Sequence, residues 1–179
     1  MIHSATGMFS QQLHFVVDIT NHMNSPCNPS NLLRLTLSCS KPVAKLPHDR
    51  EALLKAVVNG TGKFFLGSDS APHDLSQKKG GRGKTAAGVF TQPYVTQYVL
   101  SALELAIQRR VLSEADVTED VLRNFLSEYG RKFYGITSNN KEKIVLRKGS
   151  EIVQESFKGN GVEVIPFRRG QTTWSIEWK

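Results

Sequence analysis

The chain has 179 residues, with 23 Lys and Arg against 16 Asp and Glu, a net charge of +7 and an isoelectric point near 9.5. A hydrophobic share of 39% suits one soluble domain with a single core, and no apolar run reaches the roughly 18 residues of a membrane-spanning helix. Cys27 and Cys39 lack Cys-x-x-Cys spacing, which argues against a disulfide framework or a cysteine zinc site and for a reducing cytoplasm.

In chain order, residues 1–40 are irregular in pattern. Asn21 to Asn31 is rich in Asn, Ser and Pro and reads as loop, and one short strand is expected over Leu13 to Val17. From Asp49 to Asn59 the spacing of Leu53, Leu54, Val57 and Val58 predicts a helix, with Asp49 capping its start and Gly60 stopping it. Lys63 to Leu66 is short, aromatic and aliphatic, which predicts a buried strand.

That strand breaks abruptly into Gly67-Ser68-Asp69-Ser70-Ala71-Pro72-His73. In α/β folds the working residues collect where strands end, so Asp69 is a candidate general base or metal ligand. The plainer alternative is a turn in which Asp69 and Ser70 bond nearby backbone amides. Ser76 to Ala87 reads as a flexible loop, with Lys78, Lys79, Arg82 and Lys84 among Gly80, Gly81 and Gly83. The run superficially suggests a phosphate-binding loop, but the first glycine of that motif would sit at Lys78 and no strand immediately precedes it. Its positive charge also admits a nucleic-acid-binding reading for 78–84, although no recognisable nucleic-acid module accompanies it.

A second helix is predicted over Gln92 to Arg110, with Val95, Val99, Ala102, Leu103 and Ala106 at core spacing. A third runs from Thr118 to Tyr129, capped by Thr118 and stopped by Gly130. Short strand-like runs follow at Lys143 to Arg147, Glu151 to Glu155, Val162 to Phe167 and Thr172 to Trp178.

The Gly67 to His73 motif, followed by Ala87-Gly88-Val89-Phe90, resembles the last barrel strand and following loop of the dihydroorotases, the single-function branch of the amidohydrolase superfamily. Upstream, Lys41-Pro42-Val43-Ala44-Lys45 and the helix after it resemble the same family; downstream, so do Phe133-Tyr134-Gly135 and Trp174-Ser175-Ile176-Glu177-Trp178. The resemblance spans residues 41–179 and leaves 1–40 as an irregular segment without such likeness. It implies an α/β fold, the carboxyl-terminal part of a TIM-barrel metal-dependent hydrolase with short terminal β-strands. A complete barrel takes about 250 residues, so the expectation is the final portion of one, with parallel strand edges open to association with another chain.

What the resemblance implies for function is a zinc-dependent cyclic amide hydrolase of pyrimidine biosynthesis. Its reaction is the reversible cyclisation of N-carbamoyl-L-aspartate to L-dihydroorotate. Asp69 would ligate one metal of a two-zinc centre and shuttle the proton; His73 would face the substrate carboxylate; Ala87 and Gly88 would offer backbone amides to the same ligand; Lys41 would touch substrate through its main chain. The family's His-x-His pair, metal-bridging lysine and further histidines have no counterparts here, since His3, His14, His22 and His48 form no such pair. The expectation is therefore a cytoplasmic dihydroorotase-like chain that acts as a homodimer or beside a complete dihydroorotase. The alternative is a non-catalytic dihydroorotase-like binding partner.

Overall fold

The computed structural model describes residues 11–13, 47–79, 85–138 and 142–179. The expected strand near the amino terminus lies at Gln11–Leu13 (β1), two residues earlier than its predicted start; positions 14–17 fall outside the described residues. β1 runs parallel to β2, Phe64–Leu66, with Gln11 opposite Phe64 and Leu13 opposite Leu66. The parallel order continues past β2 as single bridges, Ser70 to Val89 and then Phe90 to Pro166.

Between β1 and β2, helix α1 spans Pro47–Val58. Asp49 does not cap it as predicted: it sits inside the first turn, where its charge still suits the positive end of the helix. Pro47 takes the first helical position, where a missing N–H costs nothing. Gly60 ends the helix as predicted, with φ +59°. Leu54 and Val57 are buried, with Leu53 and Val58 packed at the margin.

After β2 the one-turn helix α2, Leu75–Lys78, occupies part of the predicted flexible loop. A 3-10 turn, Gln92–Tyr94, leads into α3, Val95–Gln108. Four of the five residues at the predicted core spacing of α3 are buried, Val99 and Leu103 at 1% exposure and Ala102 and Ala106 little more, while Val95 is half-buried against the core. They share one core with Leu54 and Val57 of α1, Phe125, Val153 and Phe167. Within it the Tyr98 ring meets Phe167 edge-on at 5.5 Å, and the Tyr98 hydroxyl donates to the Phe167 carbonyl. Burial raises the pKa of that hydroxyl well above its ordinary value, so it stays a neutral donor at any physiological pH.

The third helix begins where the sequence predicts: Thr118 Oγ1 accepts from the Val121 N–H at 3.2 Å. It does not stop at Gly130. Helix α4, Glu119–Arg123, passes through a π-helical turn, Asn124–Glu128, directly into α5, Tyr129–Phe133. Gly130 is small for packing rather than for chain reversal, because a Cβ there would lie 3.3 Å from the Phe65 ring. The stop is Gly135 at φ +65°, with its N–H on the Lys132 carbonyl and the Ile136 N–H on the Arg131 carbonyl, the paired bonds of a Schellman ending.

The carboxyl-terminal strands pair antiparallel. β3, Ile144–Ile152, lies against β6, Thr172–Trp178, and its register slips between Arg147 and Glu151. The two runs predicted around residues 148–150 are thus one bulged strand. Between them β4, Phe157–Gly159, and β5, Val162–Val164, form a hairpin turned by Asn160 and Gly161, both at positive φ. Among the described residues no helix is long and apolar enough to cross a membrane.

Candidate active site

The carboxyl end of β2 is held by its neighbours rather than left as a free loop. Thr91, fully buried, donates its hydroxyl to the Ser68 carbonyl at 2.6 Å. Ser70 Oγ accepts from the N–H groups of Thr91 and Gln92 at 3.2 and 3.1 Å, so a motif side chain satisfies open donors where the 3-10 turn before α3 begins. The Ala71 N–H completes the seam on the Val89 carbonyl at 2.9 Å. Thr91→Val keeps the shape but leaves the Ser68 carbonyl without this donor. It should lower the unfolding free energy by about 1–3 kcal/mol, read as a shift in urea midpoint; an unchanged midpoint would mean that another donor reaches Ser68.

On this frame stands Asp69, exposed, with φ +44°. Left-handed backbone is uncommon for a residue with a side chain, and Asp and Asn tolerate it best. The chain therefore turns sharply at the strand end and sets the carboxylate outside the seam.

The structure brings His73 and the Ala87–Gly88 pair together. His73 Nε2 lies 2.8 Å from the Ala87 carbonyl, which can only accept, so the ring carries its proton on Nε2. Nδ1 then accepts in the neutral ring and donates to an anion only when the ring is doubly protonated. Gly88 has φ +147°, and a Cβ built on it would fall 2.5 Å from the Ala71 carbonyl oxygen and 2.9 Å from His73 Cδ2. Only glycine lets the two segments approach this closely.

The residues that organise this approach were not visible in the sequence pattern. Lys78, expected on the solvated face of a basic loop, is 4% exposed and donates Nζ to the carbonyls of Ala86 and Gly88 at 2.8 and 2.7 Å. Asp74 caps α2 by accepting the Ser76 N–H at 2.9 Å and reaches the Glu163 N–H at 3.1 Å. Hydrogen bonds from Ser76, then from Glu163, hold its carboxyl below the ordinary carboxylate pKa. A basic run conceals such a lysine, because charge and glycine content are the same whether one amine points in or out. The one available signal was Asp74, a helix-capping type placed just ahead of Lys78. Lys41 lies outside the described residues, as do Gly80 to Lys84 of the basic segment.

Zinc fits the described residues poorly. Among them no group of three His, Cys, Asp or Glu side chains is placed to hold a metal ion. Asp69 offers one carboxylate, whereas a catalytic zinc takes about three protein ligands.

No family model matches the chain. Individual proteins do: it is 35% identical over 144 residues to the dihydroorotase of Saccharomyces cerevisiae, and 38% identical over 141 residues to a probable dihydroorotase of Schizosaccharomyces pombe. The chain is related to the carboxyl-terminal part of the dihydroorotases. Each match covers 78% of this chain but only 36% and 37% of those relatives, so the chain spans little more than a third of their length. A mitochondrial dihydroorotase of Arabidopsis thaliana is 36% identical over 138 residues. The fold agrees with the sequence. A crystal structure of the S. cerevisiae dihydroorotase in complex with 5-fluoroorotic acid superposes with a TM-score of 0.66 at 31% identity, over 84% of this chain and 39% of that one. A Campylobacter jejuni dihydroorotase superposes with a TM-score of 0.59 at 25% identity, over 94% and 41%. The expected architecture, the carboxyl-terminal part of a dihydroorotase barrel with short terminal strands, is the one found.

Proposed function

We propose that Asp69, His73, Ala87 and Gly88 form the proton-handling and carboxylate-binding side of a dihydroorotase site, working on L-dihydroorotate and N-carbamoyl-L-aspartate in pyrimidine biosynthesis. The observation that carries this reading is the close approach of His73 to Ala87 and Gly88 beside the Asp69 turn, in a chain whose relatives are dihydroorotases. A carboxylate at the strand end is suited to accept the proton of an attacking water. A doubly protonated His73, already oriented through Nε2, would give Nδ1–H to a substrate carboxylate, and close-packed small residues leave room for that ligand.

Because the described residues do not complete a zinc site, the reading requires further metal ligands from elsewhere, either the undescribed amino-terminal residues or another chain. It includes Lys41 at the substrate, residues 41–179 as the dihydroorotase-like unit, assembly as a homodimer or with a complete dihydroorotase, and a cytoplasmic location. The same shortage of ligands favours a second reading, a non-catalytic partner of a complete dihydroorotase. The nucleic-acid alternative loses ground because Lys78 turns inward.

Zinc-supplemented turnover of L-dihydroorotate by the purified full chain tests the proposal. Hydrolysis to N-carbamoyl-L-aspartate that a chelator abolishes is the expected result. A folded chain that neither turns over substrate nor binds 5-fluoroorotate would overturn it, and co-purification with a complete dihydroorotase would then support the partner reading.

A further inference from the structure

We propose that Lys78 is a positioning residue for this site, clamping the Ala86–Gly88 segment from its buried side so that Ala87 and Gly88 are held against His73. The proposal rests on the dihydroorotase reading for its ligand and on the geometry alone for its clamp. The Lys78 amine donates to the carbonyls on both sides of Ala87, at Ala86 and Gly88. Ala87 gives its own carbonyl to His73. Three consecutive carbonyls are thus fixed by two side chains, Lys78 and His73.

The lysine is delivered there by local structure. His73 leads directly to Asp74, whose carboxylate caps α2, and α2 ends at Lys78. A backbone bond returns across the gap, from the Ala86 N–H to the Gln77 carbonyl at 3.2 Å. The two arms of the loop are therefore joined by one backbone bond and two charge-assisted bonds from a single amine, the stronger kind of hydrogen bond. Without that amine, the part-buried Ala86 and Gly88 carbonyls lose those donors. The segment would then relax away from the close contact that Gly88 permits with Ala71 and His73. A ligand carboxylate meeting His73 and the Ala87–Gly88 backbone would lose alignment with both at once, although Lys78 itself need not touch it.

The test compares Lys78→Met with Lys79→Met in the full chain. The two variants remove the same charge, but Lys79 is exposed. Two quantities are read: amide exchange at Ala86 by NMR, and the dissociation constant of 5-fluoroorotate by fluorine NMR titration. Lys78→Met should speed Ala86 exchange by about tenfold or more and weaken 5-fluoroorotate by about tenfold, with the α3 amides unchanged. Lys79→Met should alter either quantity by less than about twofold, since an exposed charge contributes little. Ala86 exchange unchanged in Lys78→Met would overturn the clamp, and faster exchange with wild-type affinity would overturn its role at the ligand. If the α3 amides show that Lys78→Met does not fold, Lys78→Arg decides. Arginine keeps the donors and should bind within about threefold of wild type, and a tenfold loss with Ala86 still protected would refute the proposal. Wild-type protein that fails to bind 5-fluoroorotate would mark failure of the dihydroorotase reading, leaving the exchange result to judge the clamp by itself.

Discussion

Gly88→Ala should destabilise the chain by roughly 2–5 kcal/mol, combining overpacking with left-handed backbone strain. The added methyl would lie 2.5 Å from the Ala71 carbonyl oxygen, which is backbone and cannot swing aside, and 2.9 Å from both Ala71 Cβ and His73 Cδ2. At φ +147° a side chain is strained even where space exists. Relief requires the two segments to part, which would break the Ala71 N–H bond to Val89 and the His73 bond to Ala87. Urea denaturation checks this: the midpoint should fall with an unchanged slope. A midpoint within about 0.5 kcal/mol of wild type would mean that the chain yields there at little cost. Gly130→Ala is a milder comparison, because its nearest contact, at 3.3 Å, is an aromatic side chain.

Asp69→Asn should lower turnover of L-dihydroorotate by about 10²- to 10⁴-fold in any preparation of the chain that shows it. Asparagine has nearly the same shape but no carboxylate to accept a proton or to hold a cation. The backbone gives this substitution unusual clarity. Asp69 stands at φ +44°, a conformation that asparagine tolerates as readily as aspartate. The variant should therefore unfold at the wild-type urea concentration and bind 5-fluoroorotate within a few-fold of wild type while losing kcat. Equal kcat in the two proteins would remove Asp69 from the chemistry and leave it as a turn residue. A shared fall in stability and kcat would instead point to a structural role for its hydrogen bonds.

Much of the helical core was legible because burial imposes a period that a sequence records. Val99, Ala102, Leu103 and Ala106 recur at helical spacing and are all buried. Helix ends were less legible, since glycine has more than one use. Gly60 and Gly135 reverse the chain at positive φ, whereas Gly130 makes room for Phe65, and composition does not separate the two roles. The candidate site was legible as a motif where its residues are contiguous, from Gly67 to His73. The link to Ala87 and Gly88 came only through family likeness, because a contact across the loop leaves no local spacing to read. Lys78 was misplaced for a related reason: burial of one amine in a basic stretch depends on which carbonyls lie nearby, and those belong to the far arm of the loop. The Ser70 hydroxyl matched the plainer expectation of bonding to backbone amides, but the amides are those of Thr91 and Gln92 rather than of its own turn.

The π-helical turn at Asn124–Glu128 makes chain length itself a constraint. Each residue added to or removed from a helix rotates everything beyond it by about 100°. The wide turn sets the phase at which α5 leaves it, and in that phase Tyr129 reaches the Gly60 carbonyl at 2.8 Å, Gly130 faces Phe65, and Phe133 and Tyr134 stack around the same ring at 5.1 and 5.8 Å. Phe65 lies in β2, the strand that carries the Asp69 turn. Deleting one residue between 124 and 128 would leave a more regular helix by any local measure and would turn its aromatic end away from that strand. Apart from the buried Phe125 and the half-buried Leu126, this stretch should accept changes of side chain but no change of length.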